Sequence, residues 1–177
     1  MKKYLKAVGI SVLAMGVLTA CSDTSDVKTG GSNNVTKTED SKKQEKKNDG
    51  SKKFNAAAKQ EVLGMAINLA DVKITEKEIQ VGMNLHNTSG DKLSFYPDQG
   101  TLVVGDMQLS ANMFMGSGEV SGDINDGVKM DGVIVFTAPE GKKLDVKAIK
   151  ELTFNFGDVT TSDFMTTKPV TFKVPVK

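Results

Sequence analysis

Short stretches in which apolar and polar residues alternate run through the chain from residue 54 onward. A period of two is typical of β-strands with one buried face, because successive side chains point to opposite sides of the strand. Several of these stretches stop at clusters of turn-forming residues such as Asn, Gly, Pro and Asp. The predicted strand segments are 65–69, 72–74, 79–85, 101–109, 133–136, 152–156 and 170–174, with a hairpin turn at Gly105-Asp106 inside the fourth.

Seven or eight short strands separated by turn signals favour an all-β protein. The chain is predicted to form an immunoglobulin-like β-sandwich, with a closed barrel as the alternative. The Cys…Trp…Cys pattern of antibody domains is missing, because the chain has no Trp and its one Cys precedes the strands. Two helical exceptions are expected, a short helix over 54–61 and a single helical turn over 145–151.

The stretch before the strands has a different composition. Residues 22–53 are rich in Ser, Thr, Lys, Asp, Asn and Gly, and their only aliphatic side chains are Val27 and Val35. Such a segment cannot bury enough apolar surface to offset its chain entropy, so residues 21–53 are predicted to be a disordered tether. As a flexible coil it spans on the order of 30 Å. The folded domain is accordingly predicted to occupy residues 54–177.

The first twenty residues have the layout of a secretory signal. A basic start with Lys2, Lys3 and Lys6 precedes an apolar run over residues 7–18. This run is shorter than the roughly 20 residues that a membrane-spanning helix needs. A cleaved signal peptide over residues 1–20 is therefore predicted.

The sequence Leu18-Thr19-Ala20-Cys21 resembles the lipobox of bacterial lipoproteins. The resemblance implies that the sulfur of Cys21 carries diacylglycerol and that Cys21 becomes the first residue after cleavage. Acyl chains such as palmitate would then hold the protein at the extracytoplasmic face of the cell membrane, since two chains anchor a protein stably whereas one does so marginally. With this single cysteine modified, no thiol remains for a disulfide.

A second resemblance rests on three strand-and-turn motifs of the folded part. They are Leu85-His86-Asn87-Thr88-Ser89, Gly132-Val133-Ile134-Val135-Phe136 with the following Pro139, and Phe154-Asn155-Phe156. With these motifs the chain is similar to small immunoglobulin-like domains on lipoproteins of Gram-positive bacteria, and to a mycobacterial secreted immunogenic protein family. The resemblance implies a fold and a surface location. That family has no common activity, so it implies no catalytic residue.

Charge and residue type exclude nucleic acid as a partner. Residues 54–177 carry twelve Lys against sixteen Asp or Glu, and the whole chain lacks Arg. Neutralisation of phosphates dominates the affinity of proteins for nucleic acid, and a mildly acidic domain cannot supply it. Without Arg the chain also lacks the bidentate fork that reads guanine edges.

Residues suited to catalysis are few. His86 is the only histidine, and it lies at a predicted strand end where a histidine is ordinary. No pair of carboxylates is marked by its spacing, so neither an enzymatic activity nor a cofactor beyond the covalent lipid is expected. The acidic stretch 123–127 places its glycine fifth rather than sixth, which fails the EF-hand spacing and predicts a turn instead.

Methionine supplies one metal hypothesis. Met113 and Met115, together with His86, are the candidate ligands for Cu(I), which prefers soft thioether ligands. No His/Met spacing recurs along the chain, and Met also fills irregular gaps in cores. The prediction is therefore that no metal is bound.

The stretch 111–127 is the most loop-like part of the predicted domain, with four glycines. It begins with Met113-Phe114-Met115, a candidate partner contact, because loops on rigid sandwiches commonly carry recognition. The alternative is that these apolar residues are an inward anchor of a long crossover.

These observations predict a membrane-anchored surface lipoprotein whose sandwich is a non-enzymatic interaction module for an envelope protein or a wall component. Two alternatives stay open. One is an extracytoplasmic carrier of a small ligand or of copper, and the other is a prophage-type lipoprotein that excludes DNA by engaging a channel.

Overall fold

The computed structural model describes residues 24–31 and 50–177. The predicted signal peptide at 1–20, the lipidation site Cys21 and the tether residues 32–49 lie outside the described residues. In the part of the chain that is described, no helix is long and apolar enough to cross a membrane.

Eleven antiparallel strands and one 3-10 turn make up the described domain. The strands are β1 (Lys52–Val62), β2 (Met65–Ile74), β3 (Glu78–Asn87), β4 (Leu93–Phe95), β5 (Thr101–Val104), β6 (Met107–Ala111), β7 (Ser117–Gly118), β8 (Gly122–Ile124), β9 (Lys129–Thr137), β10 (Glu151–Thr161) and β11 (Thr167–Pro175). The 3-10 turn (Pro97–Gln99) connects β4 to β5. All seven predicted strand segments and the hairpin turn between β5 and β6 are found.

The strands form a β-sandwich, as predicted. The first layer has the order β1-β2-β3-β9, with β7 paired to β9. The second layer contains β6, β5 and β10, with β11 and β4 also paired to β10 and β8 paired to β4. Strand β6 joins the layers, because it pairs with β5 along its length and with β9 only at Ser110↔Thr137 and Ala111↔Phe136. The strand count exceeds the predicted seven or eight chiefly through the short strands β4, β7 and β8.

The core lies between the layers and contains apolar side chains from both. A cluster of four phenylalanine rings occupies it, with Phe136 from the first layer and Phe154, Phe156 and Phe172 from the second. The rings of Phe154 and Phe156 stack with centroids 5.4 Å apart. The alternation of these strands thus places their large side chains on the shared inner face.

The short helix predicted over 54–61 is wrong. This stretch belongs to β1, whose alternating side chains Phe54, Ala56 and Ala58 pack on the core. Alanine favours helices in isolation, but burial of one face overrides this local preference. The register shifts between Asn55 and Ala58, which adds one residue to β1 as a β-bulge.

The helical turn predicted over 145–151 is a single hydrogen-bonded turn without a helix. The N–H of Ala148 donates to the carbonyl of Asp145 over 3.0 Å, and the carboxylate of Asp145 accepts from the N–H of Lys147 over 3.1 Å. Glu151 already begins β10. Asp side chains favour such turns because they accept from the backbone two residues further on.

Residues 24–31, here called the N-terminal strap, lie across the outer face of the first layer. The N–H of Asp71 on β2 donates to the carbonyl of Lys28 over 3.1 Å. Val27 is only 6% exposed. Within the predicted tether, the strap is thus held on the sheet by a buried valine and by backbone hydrogen bonds. Strand β1 starts at Lys52, two residues before the predicted domain boundary at residue 54.

Candidate functional site

The loop after β6 holds the predicted contact residues in an ordered turn built around Asn112. The N–H of Asn112 donates to the carbonyl of Val135 on β9 over 2.8 Å, which fixes the start of the loop to the sheet. The Asn112 side chain then accepts from the N–H of Phe114 over 3.1 Å, and its carbonyl accepts from the N–H of Met115. Asn is suited to this position because its side chain mimics a turn of backbone.

The three apolar side chains of this loop differ in their exposure to solvent. Phe114 is 91% exposed and Met113 is 51% exposed, whereas Met115 is half-buried. The alternative of an inward anchor is therefore wrong for Phe114, whose ring lies in solvent. An isolated exposed apolar residue is ordinary on protein surfaces, but this one stands on a hydrogen-bonded turn that contributes to a groove on either side.

One groove, with a volume of about 650 Å³, lies at the end of the first layer where β9 leaves the sheet. Met115 lines it together with four lysines, Lys73, Lys77, Lys142 and Lys143. Two glutamates, at 78 and 140, also line it. These residues come from β2, the start of β3, the loop after β6 and the segment after β9, and we call this surface the lysine groove.

Two of the four lysines are committed to ion pairs. The Nζ of Lys73 lies 3.1 Å from the Asp26 carboxylate of the strap, and the Nζ of Lys143 lies 2.7 Å from Glu76. The hydrogen bond between Lys143 and Glu76 raises the pKa of Lys143 and lowers the pKa of Glu76. Within the described residues the ammonium groups of Lys77 and Lys142 have no ion pair, so they remain available to a carboxylate from outside.

A second groove of about 360 Å³ lies on the other side of the loop and is lined by Met113 and Asn112. Two buried polar atoms in it, an oxygen of Asp98 and the hydroxyl of Ser121, have no hydrogen-bond partner in the described part of the chain. Buried polar atoms of this kind are costly to leave unpaired. Both atoms lie beneath the surface of the groove, out of contact with solvent.

The structure does not bring the three copper candidates together. His86 lies opposite Lys129, whereas the methionine loop is attached at Val135. Lys129 and Val135 are six residue steps apart on β9, a distance of about 20 Å. Among the residues described, no group of three or more His, Cys, Asp or Glu is placed to hold a metal ion.

The acidic stretch 123–127 forms the predicted turn, in which the N–H of Val128 donates to the carbonyl of Asn125 and Gly127 has a φ of 76°. Its first carboxylate, Asp123, accepts from the hydroxyl of Ser94 over 2.6 Å and pairs with Lys92 at 3.0 Å. These hydrogen bonds lower the pKa of Asp123. The side chain thus serves to join β8 to β4.

The sequence patterns did not predict a second turn that exposes apolar side chains. Phe164 is 76% exposed and Met165 is 83% exposed in the turn between β10 and β11. Phe164 has a φ of 59°, which is unusual for a non-glycine residue. The signal available in the sequence was an apolar pair between two polar clusters, where the pattern predicts no strand.

No family model and no curated protein sequence matches this chain. Among solved structures, a protein of unknown function from Listeria monocytogenes EGD-e is similar over 72% of this chain and 88% of its own, with a TM-score of 0.50 and 12% identity. The likeness supports the fold alone.

The ycdA protein of Bacillus subtilis strain 168, whose assignment as a lipoprotein is itself a prediction, aligns with 67% of this chain and 38% of its own. Its TM-score is 0.47 and its identity is 19%. The chain thus spans well under half of that protein.

Proposed function

We propose that this protein is a lipid-anchored extracytoplasmic module that binds a partner protein, without catalysis, through the loop at Met113-Phe114-Met115. The observation that carries the proposal is the exposure of Phe114 on a turn that Asn112 orders. A large aromatic side chain held in solvent by a rigid turn loses little conformational freedom when a partner covers it. Aromatic residues of this kind are frequent hot spots in protein interfaces.

The surroundings of Phe114 indicate the chemistry of the partner. An apolar pocket on the partner would take the ring. The flanking lysine groove offers to the partner's carboxylates the ammonium groups of Lys77 and Lys142, which form no ion pair among the described residues. A partner protein with an apolar centre and a mainly acidic rim fits this arrangement.

The proposed site is tested by photo-crosslinking in the cells that make the protein, with a photoreactive phenylalanine analogue at position 114. Phe164 is the matched control, because it is also an exposed phenylalanine in a turn. We expect one abundant envelope protein to be captured from position 114 and not from 164. Capture from 164 alone would contradict the choice of loop, and capture of wall polymer instead of protein would contradict the class of partner.

Substitution of Phe114 tests the same proposed contact independently. Phe114→Ser is expected to lower the crosslinking yield, measured from a photoreactive residue at position 113, at least tenfold, whereas Phe164→Ser leaves it unchanged. Removing a central aromatic from an interface commonly costs 2 kcal/mol or more, which corresponds to about a thirtyfold loss of affinity. Because Phe114 is almost fully exposed, its loss leaves the fold intact.

The anchor is tested separately. Cys21→Ala removes the only thiol of the chain and with it the proposed acceptor of diacylglycerol. We expect the variant to move from the membrane pellet to the soluble fraction. Metabolic labelling with a fatty-acid analogue should mark the wild type and not the variant. A variant that loses its signal peptide yet stays in the membrane pellet would show that the anchor lies elsewhere.

A further inference from the structure

We infer that the N-terminal strap is a membrane clamp, which holds the outer face of the first layer against the bilayer instead of letting the domain float on a long tether. This inference rests on the proposed lipidation of Cys21. It goes beyond the anchor, because it fixes which face of the sandwich meets the membrane.

The first support for the clamp is a pair of hydrogen bonds between Lys28 of the strap and Asp71 on β2. The N–H of Asp71 donates to the carbonyl of Lys28 over 3.1 Å, and the N–H of Lys28 donates back to the Asp71 carboxylate over 3.3 Å. Burial opposes ionisation of this carboxylate, but hydrogen bonds from Asn55, Lys28 and Lys53 outweigh it and lower the pKa of Asp71. Asp71 is therefore ionised at neutral pH and is the acceptor that the strap needs.

The sheet also carries a seat shaped for the strap. Gly82 on β3 lies directly beneath the carbonyl of Lys28, so that a Cβ atom at position 82 would overlap it. Gly30 of the strap lies over the small side chain of Ala70. Glycine in the middle of a strand costs stability and often marks a place where another backbone approaches closely. Here the approaching backbone is the strap.

Side chains fix the strap along its length. Val27 is buried near the middle of the strap, and beside it the carboxylate of Asp26 pairs with Lys73 at 3.1 Å. Further on, the hydroxyl of Thr29 donates to the carboxylate of Asp131 on β9 over 3.0 Å. The strap thus contacts β2, β3 and β9 in succession and crosses the layer.

The strap lies only a few residues from the proposed anchor, so it keeps the first layer close to the membrane. Cys21 precedes Thr24 by three residues, which reach about 10 Å at most. A flexible tether over 21–53 would instead span on the order of 30 Å. With the strap seated, the first layer lies next to the lipid, and the second layer lies about 10 Å further away.

Energy transfer to the membrane tests this orientation. The lipidated protein carries one donor fluorophore on an introduced cysteine, which replaces either exposed Lys59 on β1 or exposed Lys173 on β11. The protein is reconstituted in phosphatidylcholine–phosphatidylglycerol vesicles, whose lipid headgroups carry the acceptor fluorophore. We expect at least twofold higher transfer efficiency from position 59 than from 173. Equal efficiencies for the two positions in protein that floats with the vesicles would overturn the clamp.

Undocking variants complete the test. Val27→Asp should remove the difference between the two positions, whereas Val128→Asp, a change at a partly exposed valine far along the chain, should preserve it. In the soluble Cys21→Ser chain, hydrogen exchange at the Asp71 amide should be at least tenfold faster with Val27→Asp. An Asp71 amide that exchanges freely in the wild-type domain would also overturn the clamp. Failure of the lipidated protein to float with vesicles would instead overturn the anchor.

Discussion

Replacing Phe156 with alanine is expected to lower the free energy of unfolding by about 4 kcal/mol, since Phe→Ala changes in cores typically cost 3–5 kcal/mol. The side chain is fully buried at the centre of the ring cluster. Its ring centroid lies 5.4 Å from that of Phe154 and 6.1 Å from those of Phe136 and Phe172. The substitution therefore removes contacts to both layers at once and leaves a cavity between them.

Urea unfolding of the chain from residue 21 with Cys21→Ser measures this loss, because the shift in midpoint multiplied by an unchanged slope gives the change in free energy. Phe114→Ala is the matched control and should change stability by less than about 0.5 kcal/mol, as is usual at exposed positions. A loss below about 1 kcal/mol for Phe156→Ala would contradict the position of the ring in the core.

Asn87→Ala is expected to lower the free energy of unfolding by about 3 kcal/mol. Asn87 is fully buried at the end of β3, and its side-chain N–H groups donate to the carbonyls of Asp91 and Ile124, each over 2.8 Å. Its side-chain oxygen accepts from the N–H of Ser89 over 2.9 Å. Alanine removes all three hydrogen bonds and leaves the carbonyl of buried Ile124 without its side-chain donor. A buried unsatisfied group costs about 1–3 kcal/mol, and each lost hydrogen bond adds about 0.5–1.5 kcal/mol.

The matched control is Asn55→Ala, in which an exposed asparagine loses one hydrogen bond of 3.0 Å to Asp71. It should cost less than about 1 kcal/mol, because the Asp71 carboxylate keeps its contacts with the N–H of Lys28 and with Lys53. Thermal unfolding and urea unfolding should agree on the order of the two variants. Equal losses for Asn87→Ala and Asn55→Ala would show that the loops at the end of β3 do not depend on the buried amide.

Strands with a clear inner face were predictable from the chain alone. In β10, for example, Leu152, Phe154 and Phe156 alternate with polar residues and all point into the core. In β1 the same alternation uses small side chains, and its alanines also suit a helix. Only the pairing with β2, which lies in the tertiary structure, decides between the two.

The strap illustrates a different limit. Its composition is that of a disordered linker, and Val27 was the single residue that pointed to burial. What holds the strap is mostly backbone hydrogen bonding to Asp71 and space above Gly82, and neither leaves a hydrophobic pattern in the segment itself. A buried glycine in the middle of β3 was the other available signal.

The candidate site was predictable only at its centre. The position of Met113-Phe114-Met115 in a glycine-rich stretch marked the loop, but four lysines from separate parts of the chain line the adjoining groove. Their proximity depends on the layer order, which single-sequence patterns do not contain. The same holds for the distance between His86 and the methionines. His86 on β3 lies beside the start of β9, whereas the methionine loop is attached near the end of β9.

The layer order also sets the sequence of events by which the chain becomes structured. The pairs β1-β2, β2-β3 and β10-β11 are hairpins between neighbouring strands, whereas the pairing of β3 with β9 and of β5 with β10 joins residues some 50 positions apart. β-sandwiches, which need such distant pairings to close, fold in milliseconds to seconds rather than microseconds. Thr29 finds its partner Asp131 only after most of the chain has been made. The strap, which is synthesised before all eleven strands, therefore reaches its final position only after β9 has been made.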